Sequence, residues 1–187
     1  ALQRYARADV ASVLIEDMTG AKHVPGRPEG RLISTAEMVD KIKAGVDAAG
    51  PGGPLILARC DAMSKDLSFE QALERVVAYS DAGAELLFLS GAKPEQHATV
   101  ADTTGKAVFS TGGGSNTADV LAAHKVKIGA FAVEAFALNA AHQAMIDLKQ
   151  HGDPGRTVKG LPREVSSQLY DAEHWAEISR RFNAQSY

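Results

Sequence analysis

The chain has 187 residues, the size of one ordinary domain, and its 45% hydrophobic and 23% charged content excludes global disorder. With 20 Lys and Arg against 23 Asp and Glu, the formal charge is −3, so no basic field exists to hold a nucleic-acid backbone. A single cysteine, Cys60, excludes an intrachain disulfide framework, and no apolar run reaches the roughly 18 residues that a membrane span needs. A cytoplasmic setting is the expectation.

The first strand is expected at 12–17 (SVLIED), apolar until Glu16 and Asp17. A polar segment rich in glycine and proline follows at 19–31 (TGAKHVPGRPEGR) and reads as a lid; it carries Lys22 and His23. Ser34-Thr35-Ala36-Glu37 is a capping box opening a helix through Ala48, and Gly50-Pro51 ends it. A second strand at 54–61 (PLILARCD) finishes on Arg59, Cys60 and Asp61. Ser68-Phe69-Glu70-Gln71 caps a second helix, which runs to Ala82 and stops at Gly83. The third strand, 85–90 (ELLFLS), ends in Ser90, and Pro94 suits the first turn of a third helix. The fourth strand, 106–111 (KAVFST), runs into a glycine-rich turn that begins Ser110, Thr111, Gly112. Asn116 or Thr117 caps a fourth helix, and a fifth strand at 127–133 (KIGAFAV) leads into a helix over 134–151. The composition shifts after Gly155, which divides the chain into a body at 1–155 and a helical extension at 156–187. In that extension 171–183 reads as an amphipathic helix with Trp175, Ile178 and Phe182 on one stripe, packed on the body or on a second subunit.

Strands apolar throughout, alternating with helices, belong to a parallel α/β sheet covered on both faces. Two architectures remain: an open doubly wound sheet, or part of a (β/α)8 barrel. In both, ligands bind at the carboxyl ends of the strands. Those ends concentrate the chemistry. Glu16 and Asp17 read either as ligands to a hard cation such as Mg2+ or as a cap and salt bridge. Arg59 reads as a guanidinium fork for a substrate carboxylate or phosphate, or as the structural partner of Asp17 or Asp61. The 110–116 run offers backbone N–H groups to an anion, or is a plain turn. His97, His124, His142, His151 and His174 read as solvated, and Cys60 as a packed thiol.

Several stretches resemble the isocitrate lyase / phosphoenolpyruvate mutase superfamily. They are VASVLIED at 10–17, GRLISTAEMVDKIKAG at 30–45, LILARCDA at 55–62, FEQALERVVAYSDAGAELLFLSG at 69–91 and AHKVKIGAFAVEAFALNAAHQAM at 123–145. The resemblance implies a (β/α)8 barrel whose carboxyl face holds Mg2+, a 2-oxo or 2-hydroxy dicarboxylate substrate and an enolate intermediate. It implies homo-oligomers that exchange a C-terminal helix. Glu16 matches a carboxylate near the metal, Arg59 the arginine for the substrate anion, and 19–31 the gating loop, so Lys22 and His23 join Arg59 as catalytic candidates. Asp61, Ser90, Ser110, Thr111 and Gly112 are the expected substrate-binding neighbours, and Glu16 with Asp17 the metal-side residues.

The departures steer the expectation. The loop reads GAKHVPG and lacks the lyases' cysteine, Ser90 replaces their Glu, and Ser110-Thr111-Gly112 replaces N-x-T-E. These point to the oxaloacetate decarboxylase branch, with phosphonopyruvate hydrolase or mutase chemistry and a non-catalytic structural subunit as alternatives. The first strand here matches the family's fourth. The chain is therefore expected to represent the C-terminal five βα units and terminal helices, with the remaining Mg2+ ligands upstream.

Overall fold

The protein is described by a computed structural model covering residues 1–20 and 30–182. The elements run α1 (Leu2–Arg7), β1 (Ser12–Glu16), α2 (Thr35–Ala49), β2 (Leu55–Cys60), a 3-10 turn (Ala62–Lys65), α3 (Phe69–Asp81) and β3 (Leu86–Leu89). They continue with α4 (Pro94–Thr104), β4 (Ala107–Gly112), α5 (Ala118–Ala123), β5 (Val126–Phe131), α6 (Val133–His151), α7 (Arg163–Leu169) and α8 (Ala172–Arg181). All five strands and all six expected helices stand within a few residues of their expected positions. Sequence reading missed α1 and α7, short helices without a single buried residue and hence without an apolar stripe to read. The chain divides into two compact units, Ala1–Ala132 and Val133–Tyr187, so α6 goes with the terminal helices rather than with the body.

In the first unit all five strands are parallel, in the order β1-β2-β3-β4-β5. A doubly wound sheet reverses its strand order at a switch point, and this one never does. The open doubly wound alternative is therefore excluded. Right-handed crossovers in a sequential sheet put successive helices on one face. Ile56, Ala58, Cys60, Leu87, Leu89 and Val108 point into that helix layer, against Met38, Ile42, Val76, Tyr79 and Val100. The opposite face carries Leu57, Leu86 and Phe88 with Ala107 and Phe109, and the rings of Phe88 and Phe109 meet edge to face at 5.0 Å.

The helix starts follow their caps. Ser34 Oγ accepts from Glu37 N at 3.1 Å. Ser68 and Gln71 form a complete reciprocal box, and Thr117 rather than Asn116 caps α5. Gly112 has a packing role: a Cβ there would lie 1.9 Å from the Phe131 ring.

In the second unit the buried Asp147 accepts from Gln143 Nε2 at 3.0 Å and from Thr157 N at 2.8 Å, tying α6 to the segment after it. On α8 Trp175 is 62% exposed. Phe182, just beyond it, is 69% exposed. No helix among the described residues is long and apolar enough to cross a membrane.

Candidate active site

Parallel register delivers the carboxyl ends of β1, β2 and β3 to one rim. Glu16 lies opposite Arg59, and Arg59 opposite Phe88. Their side chains share the face away from the helices. Arg59 is the centre of this rim. Its Nε and Nη2 donate to Asp61 Oδ2 and Oδ1 at 2.9 and 2.8 Å, a bidentate ion pair. Nη2 also reaches Ser90 Oγ at 3.4 Å, Glu16 Oε2 lies 3.9 Å from Nε, and the guanidinium stands 5.0 Å over the Phe88 ring. The hydrogen bonds to Asp61 hold the Arg59 pKa above its ordinary value, against the opposing pull of burial. Arg59 is therefore a permanent cation. Its side-on fork is committed to Asp61, and among the described residues no hydrogen bond engages Nη1.

The expected site residues separate into two faces. Glu16, Arg59, Asp61 and Ser90 come together. Asp17 does not join them, although it was expected beside Glu16 as a metal ligand. Successive strand-end residues alternate in direction, and Asp17 turns into the helix layer, fully buried. There Oδ1 accepts from Asp61 N at 2.8 Å and Oδ2 from Tyr79 Oη at 2.7 Å, with Arg75 Nε at 3.4 Å. Both carboxylate oxygens are engaged by protein donors.

Ser110 also faces the helices, where its Oγ sits 2.9 Å from His97 Nε2. Thr111 is exposed, and Gly112 is covered by Phe131. Of the two readings of 110–116, anion cradle or plain turn, the structure has a closed turn: Gly113 N donates to Asn116 O and Asn116 N to Gly113 O. α5, which follows it, is only six residues long. Lys22 and His23 lie outside the described residues.

His97 corrects the expectation that the histidines are solvated. It is 1% exposed, and burial, then His124, lowers its pKa. The folded imidazole takes up a proton less readily than the same group in the unfolded chain, which binds one below about pH 6.5. The unfolded state then holds more protons, so stability falls with pH below that value. Urea unfolding between pH 7 and pH 5 should show a loss of at most about 1.4 kcal/mol per pH unit from this group. A His97→Gln variant should lack that component of the slope; an unchanged slope would sink the assignment.

Arg75 and Tyr79 were not foreseen as site residues. Arg75 Nε donates to Tyr79 Oη at 3.0 Å and its Nη2 to Ile33 O at 2.6 Å. Tyr79 is fully buried, and its pKa is pushed far up by burial and then by Asp17. The E-R-x-x-x-Y spacing was the available signal, because residues four apart share a helix face. The neighbouring Cys60 thiol, fully buried, is pushed up to about 12 by burial and then by Asp17.

A resident Mg2+ needs several oxygen ligands. Among the described residues no cluster of three metal-binding side chains exists. With Asp17 turned inward, Glu16 alone of the two residues expected on the metal side stands at the rim. The described residues therefore do not by themselves fit a Mg2+ site.

A family model for phosphoenolpyruvate phosphomutase matches residues 1–150. The 2-methylisocitrate lyase of Salmonella typhimurium is 32% identical over 187 residues, covering 96% of this chain and 62% of that protein. An oxaloacetate decarboxylase of Rhodopseudomonas palustris is 34% identical over 175 residues, covering 90% of this chain and 58% of that one. The chain thus spans about three fifths of the length of these curated relatives. Among solved structures, a 2,3-dimethylmalate lyase superposes with a TM-score of 0.72 over 99% of this chain and 65% of its own, at 24% identity. At that identity it speaks for the fold, in which the five-stranded sheet is an arc of the (β/α)8 barrel. Family match, curated relatives and fold agree, and the chain belongs to the phosphoenolpyruvate mutase / isocitrate lyase superfamily.

Proposed function

We propose that this chain carries part of the active site of an enzyme that breaks a carbon–carbon bond in a small 2-oxo or 2-hydroxy dicarboxylate such as oxaloacetate. One observation carries the reading: at the carboxyl rim, Arg59 is a permanently charged guanidinium, locked by Asp61 beside Glu16 and Ser90, with Nη1 in no hydrogen bond among the described residues. Arg59 would hold the carboxylate remote from the bond that breaks. Phe88 beneath it would keep water from the ion pair, where a charge-assisted contact is strongest. In a decarboxylation the bonding pair passes to the carbon that becomes the enolate, and CO2 departs. Glu16, at the same rim, would serve a divalent cation through water; such a cation, with its other ligands outside the described residues, would supply Lewis-acid chemistry. Small polar Ser90 beside Arg59 supports decarboxylation over a lyase reaction that needs a further acid or base there.

The full-length protein with Mg2+ should form pyruvate from oxaloacetate at a rate well above the spontaneous one. Phosphonopyruvate and 2-methylisocitrate run beside it separate the alternatives. Turnover of phosphonopyruvate alone would move the reading to phosphonate chemistry, and no turnover of any of the three would favour a non-catalytic homologue.

We also propose a homo-oligomer in which α8 meets a second copy. Trp175 and Phe182, seven residues apart in sequence, both stand exposed, apolar surface that water disfavours. Light scattering should give more than one copy for the wild type and a smaller mass for Trp175→Ala combined with Phe182→Ala. A monomeric wild type would end this proposal.

A further inference from the structure

We propose that Asp17, Tyr79 and Arg75 form a buried relay of positioning residues that fixes the main chain at Asp61 and, through its carboxylate, aims the Arg59 guanidinium at the site. This rests on the reading that Arg59 receives a substrate carboxylate. β2 ends at Cys60, so the N–H of Asp61 lies beyond the strand; Asp17 Oδ1 takes it instead, at 2.8 Å. The other oxygen of Asp17 is held by Tyr79 at 2.7 Å and approached by Arg75 at 3.4 Å. Arg75 is itself fixed by the Ile33 carbonyl at 2.6 Å. One carboxylate therefore joins the end of β1, the residue after β2 and the core face of α3. From the same main-chain point, the Asp61 side chain turns to the opposite face and grips Arg59 with both oxygens.

A buried ionic network is a poor way to gain stability, because desolvation offsets its Coulombic gain. It is a good way to set an orientation, because each oxygen has one place to go. A misplacement of about 1 Å at a substrate-gripping group costs on the order of 100-fold in rate. The relay gives this pair that accuracy from a layer that never touches the substrate.

The test separates orientation from packing in the full-length protein. Tyr79→Phe removes one hydroxyl and keeps the ring. Val100→Ala, in α4, damages the same core elsewhere. The Arg59 Nε–H signal is read by 15N NMR and identified by its loss in Arg59→Lys, and oxalate binding is measured in Mg2+ buffer. Tyr79→Phe should shift the Arg59 signal, speed its exchange with solvent and weaken oxalate about tenfold. Val100→Ala should lower the melting temperature and leave the Arg59 signal in place. If Tyr79→Phe does not fold, Arg75→Lys asks the same question from the next link. An Arg59 signal unmoved by the relay variant overturns the proposal, as does an equal shift in Val100→Ala. Failure of wild-type protein to bind oxalate would instead overturn the role of Arg59 in substrate binding, and the NMR comparison still decides whether the relay orients it.

Discussion

Arg59→Ala is expected to lower kcat/KM about 1,000-fold, the loss of a charge-assisted contact worth about 4 kcal/mol. Arg59→Lys should recover little of it. A single ammonium cannot satisfy both oxygens of Asp61 and still present an edge to a ligand. Sequence reasoning alone expects Arg59→Ala to spare stability, because it sees a charge held for substrate. The structure changes that expectation, since the substitution removes the bidentate partner of Asp61, which is 2% exposed. Arg59 itself is 28% exposed and partly screened by solvent, so a loss of about 2 kcal/mol is expected. Combining Arg59→Ala with Asp61→Asn should restore most of the melting temperature and none of the turnover. Recovery of both, or loss of neither, would show that the pair is only structural.

The largest loss of stability is expected from Asp17→Ala. It leaves the Tyr79 hydroxyl, the Asp61 N–H and one face of Arg75 without their acceptor, in a buried layer. A deficit of about 4 kcal/mol follows, measured as a shift of the urea midpoint at constant m-value. Asp17→Asn keeps one carbonyl oxygen for Asp61 N and should lose roughly half as much. If Asp17→Ala were as stable as wild type while metal-dependent activity vanished, Asp17 would belong to the metal side after all.

The fold was readable because each strand is an apolar run and each long helix carries its own start signal. Ser68 with Gln71, Pro94 and Thr117 did locally what they do in the folded chain. What strand ends do not reveal is the face. Glu16 and Asp17 are neighbours in sequence with the same chemistry, yet a pleated backbone sends them to opposite sides of the sheet. Ser110 was misplaced for the same reason. Choosing between barrel and doubly wound sheet needed the order of the strands, which is a matter of long-range pairing that the local pattern does not encode. His97 was misread because helix α4 is only weakly amphipathic in sequence. Its buried face is marked by Val100 alongside this one imidazole, and the imidazole's partner, Ser110, lies thirteen residues on.

Cys60 offers a clock for the sheet's own motions. Its thiol sits in the middle strand of the Glu16–Arg59–Ser90 rim, fully covered, and at neutral pH almost none of it is thiolate. A thiol reagent can therefore react only after β2 has parted from its helices. With a single cysteine in the chain, the labelling rate divided by that of a free thiol is the fraction of time this layer spends open. Native protein would thus report the looseness of this rim one adduct at a time, without denaturant and without substrate.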